Sequence, residues 1–155
     1  MRLAVLALAA PLLLAAAAPS LVIKSAGNVV TLDAATFAKL PHETLTVSDH
    51  GRSRTYSGVP LAALAAKIGA PAGESLRGPL LSAAWVARAG DGYRVALSVG
   101  EVDARTGARK AIVADAENGA PLSAKDGPFK LVVDGDLRPA RSVRMLQGLE
   151  LTPLP

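Results

Sequence analysis

The 155-residue sequence contains no cysteine. Disulfide bonds, thiolate metal ligands and cysteine nucleophiles are therefore excluded, and stability must come from packing rather than from covalent cross-links. Histidine is almost as scarce, since only His42 and His50 are present. A zinc site built from several histidines is excluded as well, whereas a mixed histidine and carboxylate site stays open.

Aromatic residues make up only 3% of the chain, and the formal net charge is a modest +4. Proteins that stack nucleic-acid bases need exposed aromatic side chains, and proteins that bind the phosphate backbone carry clustered basic residues. The sequence has no lysine-rich tract and no aromatic residues interleaved with basic ones. We therefore expect no nucleic-acid partner.

The N-terminus is apolar: Met1 and Arg2 precede the run "LAVLALAAPLLLAAAA". This run is shorter than the roughly 20 residues of a membrane span. A basic start, an apolar middle and small residues before "PSLV" are typical of a secretory signal peptide. We predict a signal peptide over residues 1–18, one mature domain over residues 19–155, a periplasmic or secreted location and no membrane span after cleavage. An uncleaved N-terminal anchor is the alternative.

The remaining sequence predicts an α+β fold of mostly short strands with two modest helices, because it shows no regular βαβ alternation. Asp33 is expected to cap a helix over residues 34–40. A second helix is expected after Pro60, since apolar residues recur every three or four positions over residues 61–68. No glycine-rich loop follows a strand, which excludes a Rossmann or P-loop phosphate site.

Other local signals concern turns and strands. Ser98 and Glu101 form a capping pair that opens a short helical turn. The dipeptide Asn118–Gly119 predicts a type I′ turn, and residues 80–89 read as a strand. Period-two alternation predicts two final strands whose inward-facing side chains are Phe129, Leu131, Val133, Val143, Met145, Leu149 and Leu151.

The stretch "GPFKLVVDGDLRPARSVRMLQGLEL", residues 127–151, concentrates Lys130, Arg138, Arg141 and Arg144. The concentration of four cations on two strand-like runs raises the question of whether they hold an anion. Strands also present charged side chains to water, so a solvated outer face is the alternative.

Four segments in fixed order resemble the oxidoreductase molybdopterin-binding domain of the sulfite-oxidase type. They are "LTVSDHGRSRTYSGVPLAALAAKIGA", "DGYRVALSVGEVD", "AIVADAENGAPLSAKDGPFKLVVDGD" and "RPARSVRMLQGLELT". The resemblance implies a sulfite-oxidase-like α+β fold. It also implies that basic residues near Arg141 and Arg144 hold the phosphate of a pterin cofactor, and that the cleft lies near the strand containing Arg94.

The sequence also departs from that family. Members hold molybdenum through a cysteine at the position that corresponds here to residues 46–49, which contain none. The soft thiolate that this type of metal site uses is therefore missing, and Ser48 or Asp49 is the only weak oxygen alternative. Family enzymes also usually leave the cytoplasm through the twin-arginine route, whereas this N-terminus has no arginine pair.

The preferred interpretation is an exported, non-catalytic module that binds a small anionic ligand or a periplasmic protein partner. We expect no bound cofactor, with molybdopterin kept open by the resemblance. The residues expected to line the cleft are His50, Arg94, Arg138, Arg141 and Arg144.

Two alternatives remain. One is a molybdopterin-dependent oxidoreductase, or a subunit of one, that uses Ser48 or Asp49 as a metal ligand. The other is a structural domain whose cleft is filled by Tyr56, Trp85 or Phe129.

Overall fold

The structure is a computed structural model that describes residues 18–49 and 51–153. The signal peptide predicted for residues 1–18 lies almost entirely outside the described residues and stays a prediction. Within the described residues, no helix is long and apolar enough to cross a membrane.

The first of two five-stranded sheets has the strand order β2–β1–β10–β5–β6. Its strands are β1 (Ser20–Ser25), β2 (Asn28–Asp33), β5 (Ala84–Ala89), β6 (Arg94–Ser98) and β10 (Leu146–Thr152). β1 pairs with β10 in parallel, and every other pairing in this sheet is antiparallel. The strand nearest the C-terminus therefore lies in the middle of the sheet.

The second sheet is entirely antiparallel, with β7 paired to β4, β8 and β9 and with β3 at the edge. Its strands are β3 (Glu43–Asp49), β4 (Arg52–Pro60), β7 (Ala111–Glu117), β8 (Ala120–Pro121) and β9 (Lys130–Val133). Asn118 and Gly119 connect β7 to β8 with φ values of 50° and 81°. Positive φ at both central residues is what a type I′ turn requires, so this prediction is confirmed.

The described part of the chain contains three short α-helices, namely α1 (Ala34–Phe37), α2 (Leu61–Lys67) and α3 (Val99–Val102). The Asp33 carboxylate accepts a hydrogen bond of 2.6 Å from the backbone N–H of Thr36, which confirms the predicted cap. The backbone N–H of Ser98 donates to Glu101 Oε1 at 3.1 Å, which confirms the capping pair. Mixed sheets with few helices confirm the α+β class.

The main apolar core lies between the two sheets. Inward-facing residues of the first sheet, such as Ile23 and Trp85, form one buried cluster with Val113 and Leu131 of the second sheet and Leu64 of α2. Each of these side chains is at most 2% exposed. A smaller cluster covers the other face of the second sheet and contains Leu45, Tyr56, Ile112, Ala114 and Val132. Strands β7 and β9 therefore have apolar contacts on both faces.

Two predicted elements are shorter than expected. The helix predicted for residues 34–40 ends at Phe37. After it, the backbone N–H groups of Lys39 and Leu40 donate to the carbonyl groups three residues earlier, not four as in an α-helix. The strand predicted for residues 80–89 begins only at Ala84, because Gly78–Ser82 forms a 3-10 turn. Gly78 with φ 58° and the following proline favour a turn there.

The predicted alternation also fails at one residue. Met145 has φ 47° and is half-buried, whereas Leu146, expected on the outer face, is buried. A register irregularity between Leu146 and Gly148 then restores the alternation, so Leu149 is buried as predicted. One residue outside the extended conformation is enough to exchange the two faces of a strand.

Candidate functional site

A cleft of about 600 Å³ opens beside the smaller apolar cluster of the second sheet. Among the residues that the structure describes, four cationic side chains and two carboxylates line it, together with Tyr93 and the backbone around the 3-10 turn Pro139–Arg141. We call it the basic cleft; its charged residues are Arg54, Lys125, Lys130, Arg144, Asp91 and Asp126. The formal excess is two positive charges.

Lys130 forms the floor of the basic cleft. It is 8% exposed, because period-two alternation on β9 turns its side chain away from the main core and toward Tyr56. Lys130 Nζ donates to the Tyr56 hydroxyl at 2.9 Å and lies 3.5 Å from Asp126 Oδ1. An ammonium group with two fixed neighbours is held in one place, and its low exposure strengthens its attraction for an anion.

Arg54 reaches the same cleft from β4. Its position two residues before Tyr56 places both side chains on one face of the strand. The Arg54 guanidinium forms an ion pair with Glu117, which is 15% exposed. The pair fixes this side chain at one wall of the cleft.

The remaining two cations are exposed. Arg144 Nε lies 4.0 Å from Asp126 Oδ1, and half of the Arg144 side chain is accessible to solvent. Lys125 is exposed and has no ion pair with any other residue in the described part of the chain. Both side chains are accessible to an incoming ligand from the solvent.

Tyr93 holds the mouth of the cleft in place. Its hydroxyl donates to the Ala140 carbonyl at 2.6 Å, and its backbone N–H donates to Asp91 Oδ1 at 2.9 Å. The first bond connects the turn between β5 and β6 to the 3-10 turn Pro139–Arg141, and the second stabilises the β5–β6 turn itself. The segments that form the cleft mouth are therefore joined by a hydrogen bond.

Arg141 does not line the basic cleft. It donates to both carboxylate oxygens of Asp136, from Nε at 2.9 Å and from Nη2 at 2.6 Å, and to Glu101 Oε1 from Nη1 at 2.8 Å. The bond from Arg141 holds the pKa of Asp136 below its usual range, and the Asp136 carboxylate in turn raises the pKa of Arg141. Arg109 Nη1 also contacts Asp136, at 3.3 Å. Arg141 is therefore committed to internal carboxylates.

Of the residues predicted to line the cleft, Arg144 does so, whereas Arg94 and Arg138 are exposed outside it. His50 lies outside the described residues. Ser48 pairs with Ser53 across the β3–β4 hairpin, on the face opposite Arg54. The side chain of Asp49 also lies outside what the structure describes. A role for any of these residues in binding a ligand or a metal stays a prediction.

Three of the four lining cations, Arg54, Lys125 and Lys130, were not among the residues expected to line the cleft, although Lys130 lies in the basic stretch of residues 127–151. The alternation on β4 shows in the sequence that Arg54 and Tyr56 share one face. The sequence does not show that β4 pairs with β7 and β7 with β9. That pairing brings Arg54 and Lys130 to one cleft. Lys125 lies in the loop between β8 and β9, where no periodic sequence pattern indicates which way a side chain points.

The side chains proposed to fill the cleft have other positions. Phe129 packs against Phe37 with ring centroids 4.8 Å apart, and Trp85 is buried in the main core. Tyr56 lies beneath Lys130. None of Phe129, Trp85 and Tyr56 is among the described residues that line the basic cleft.

Among residues 18–49 and 51–153, no three histidine, aspartate or glutamate side chains lie close enough together to hold a metal ion. Asp103, one of the few buried charged residues, has a structural role. It accepts hydrogen bonds from the N–H groups of Gly73 and Arg105 and from the Thr106 hydroxyl. These bonds, that from Gly73 foremost, lower the pKa of Asp103.

Comparison with known proteins gives one informative result. No protein-family model matches the chain, and no curated protein matches it. The fold is similar to that of a chain in the crystal structure of the sulfane dehydrogenase SoxCD from Paracoccus pantotrophus, with a TM-score of 0.67 and 17% sequence identity. The match covers 88% of this chain but only 38% of the SoxCD chain. The chain therefore shares a related fold with part of the sulfane dehydrogenase SoxCD.

Proposed function

We propose that this chain is an exported, non-catalytic binding domain of the sulfite-oxidase-type fold that takes a small anionic ligand in the basic cleft. The observation that carries the proposal is the convergence of four cationic side chains from separate segments on one opening of about 600 Å³. The ordered sequence segments and the similarity in fold to SoxCD support the choice of fold.

The charges of the cleft favour an oxyanion. Lys130 supplies a fixed donor at the floor, while Arg144 and Lys125 supply exposed donors at the rim. Charge-assisted hydrogen bonds from such groups to phosphate or carboxylate oxygens are about twice as strong as neutral ones. The volume of the cleft lies in the range of about 300–1,000 Å³ typical of small-molecule sites.

The residues present fit one part of a molybdopterin cofactor and not the other. The basic cleft suits its phosphate group, because arginine and lysine side chains donate charge-assisted hydrogen bonds to phosphate oxygens. The metal lacks its expected ligand, because the chain has no cysteine and Ser48 faces away from the wall that Arg54 forms. No redox reaction at a bound metal is therefore proposed. A pterin phosphate is one of the anions that the basic cleft is proposed to bind.

Titration of purified protein with inorganic phosphate and with a pterin phosphate, followed by calorimetry, tests the proposal. The double variant Lys125→Ala/Arg144→Ala should bind at least about tenfold more weakly, because both donors at the rim are lost. Lys67→Ala/Arg77→Ala is the matched control, since it removes the same two charges from exposed positions that do not line the cleft.

The control should bind as the wild type does. Absence of binding to the wild-type protein would remove the proposed function. Equal weakening in both double variants would show that the net charge of the protein, and not the cleft, attracts the ligand.

The second candidate is a molybdopterin-dependent oxidoreductase or a subunit of one. The related fold of a sulfane dehydrogenase favours it. Metal analysis of the protein purified from its native host separates the two candidates. One molybdenum ion per chain would contradict the non-catalytic binding domain and support the enzyme.

Export is a separate part of the proposal and has its own test. We expect the protein in the periplasmic or secreted fraction, with an N-terminus at Pro19 when Ala18 is the last residue removed. N-terminal sequencing of the native protein measures this directly. Recovery of a chain that still begins at Met1 in the membrane fraction would favour the uncleaved anchor.

A further inference from the structure

Asp126 occupies the place in the basic cleft where an anion would sit. Its Oδ1 lies 3.5 Å from Lys130 Nζ and 4.0 Å from Arg144 Nε, so one carboxylate oxygen faces two of the four cations. The Ser123 hydroxyl donates to its other oxygen at 3.3 Å. The Asp126 side chain is only 18% exposed.

The backbone fixes the position from which this carboxylate projects. The N–H of Asp126 donates to the Ser123 carbonyl at 3.0 Å, and the N–H of Met145 donates to the Asp126 carbonyl at 2.8 Å. The main chain is thus held from both sides, whereas the carboxylate makes only long contacts with Lys130 and Arg144. Rotation of the side chain removes those contacts without moving the backbone.

We infer that Asp126 is a built-in competitor that must turn away from Lys130 and Arg144 before an external anion binds. The inference rests on the proposed anion-binding function of the cleft. A ligand with one negative charge exchanges one carboxylate for another of equal charge and gains little. A ligand with two or more negative charges gains the additional attraction of both cations, so it still binds after the same displacement cost has left a simple carboxylate with little net affinity.

The alternative role for Asp126 is a fixed negative charge that stays in place and repels every ligand. The two roles differ in a measurable way. A competitor imposes one displacement cost, which is the same for every anion. A fixed charge repels a dianion about twice as strongly as a monoanion in free energy, so its removal should improve dianion binding by about the square of the factor found for a monoanion.

Asp126→Asn tests the inference, because the amide has the same shape and retains a hydrogen-bond acceptor for Ser123 but has no charge. Asp91→Asn is the matched control: Asp91 also lines the cleft, but its carboxylate accepts a bond from the backbone of Tyr93 rather than facing a cation. Binding of inorganic phosphate and of acetate is measured by nuclear magnetic resonance titration at constant ionic strength. A mildly alkaline solution keeps phosphate mainly as the dianion.

We expect Asp126→Asn to strengthen the binding of phosphate and acetate by the same factor of about ten, and Asp91→Asn to strengthen either by no more than about threefold. Equal effects of the two substitutions would overturn the inference, as would a phosphate factor near the square of the acetate factor. In either case phosphate binding by the wild type would still support the proposed function. If neither anion binds the wild type or either variant, the proposed function fails and the inference fails with it.

Ser123→Ala provides a second variant that leaves the charge unchanged. Loss of the Ser123 hydroxyl frees the Asp126 carboxylate to turn away, so phosphate should bind about two- to threefold more tightly. Unchanged or weaker binding would contradict the role of Asp126 as a competitor. Thermal unfolding of each variant without ligand confirms that the fold is retained.

Discussion

Replacement of Arg141 by alanine should destabilise the fold without weakening anion binding. Arg141 donates three charge-assisted hydrogen bonds, two to Asp136 and one to Glu101. The bond to Glu101 connects the 3-10 turn Pro139–Arg141 to helix α3, and the two bonds to Asp136 hold the segment between β9 and that turn. After the substitution, Asp136 retains only the contact of 3.3 Å from Arg109 as an ion pair among the described residues.

The expected loss in the free energy of unfolding is about 2 kcal/mol. Removal of one partner from a fully buried ion pair costs about 3–5 kcal/mol, and a fully exposed pair contributes at most about 1 kcal/mol. The side chains of Arg141 and Asp136 are 31% and 14% exposed, so water replaces part of the lost bonding. For a domain of this size, the same loss lowers the Tm by about 8 °C.

Urea denaturation followed by circular dichroism measures this loss, and its pH dependence identifies the mechanism. The folded-state pKa of Asp136 is lowered by Arg141. A lowered carboxylate pKa contributes stability that is fully present above the unfolded value of about 3.9 and is lost as the pH falls through the folded value. The difference between wild type and Arg141→Ala should therefore be largest near neutral pH and shrink below pH about 4.

Arg138→Ala is the control, because Arg138 is exposed and makes no ion pair with another described residue. It should change the free energy of unfolding by less than about 0.5 kcal/mol. A loss for Arg141→Ala that is equally small, or that persists undiminished in acid, would refute the assignment of Arg141 to internal carboxylates. A loss of phosphate affinity with unchanged stability would place Arg141 in the binding site instead.

Other substitutions test the packing. Gly58→Ala should destabilise the fold by more than about 3 kcal/mol or prevent folding, because a Cβ atom there would lie 2.1 Å from the Val113 carbonyl oxygen. Gly148→Ala is the control and should be tolerated, because the nearest atom to its Cβ would lie 3.6 Å away. Chemical denaturation compares the free energies of unfolding of the two variants. Asp103→Ala should cost about 2 kcal/mol near neutral pH, because it leaves the N–H of Gly73 without its acceptor. Since the pKa of Asp103 is lowered, this cost should diminish as the pH falls below about 4, and a constant cost would contradict the role given to its carboxylate.

Local sequence signals predicted local structure well. The cap at Asp33, the capping pair of Ser98 and Glu101 and the turn at Asn118–Gly119 each depend on residues within three positions of one another, so the sequence alone contains the whole interaction. The errors occurred where a single residue leaves the expected conformation, as Met145 does. Period-two reasoning does not detect such a residue, because methionine rarely adopts a positive φ and its identity gives no signal that it does so here.

The candidate site depended on contacts distant in sequence and was predicted only in part. Arginines close together in the sequence suggested a single cleft, but Arg141 forms an ion pair with Glu101, forty positions earlier, while Arg144 faces the cleft. Lys130 and Tyr56, which bond to each other beneath the cleft, are 74 positions apart in the sequence. Which cations share a cleft is decided by strand order, and strand order is not contained in the spacing of charged residues.

The central position of β10 in the first sheet has a consequence for how the chain folds. Residues 146–152 lie between β1, which is synthesised first among the described strands, and β5. Pairing of elements so distant along the chain is slow, because a long loop must close before any contact is gained. The sheet therefore cannot assemble on the ribosome before its last strand emerges. Deletion of residues 146–152 should leave the β1–β2 and β5–β6 hairpins as separate fragments rather than a smaller sheet of the same kind.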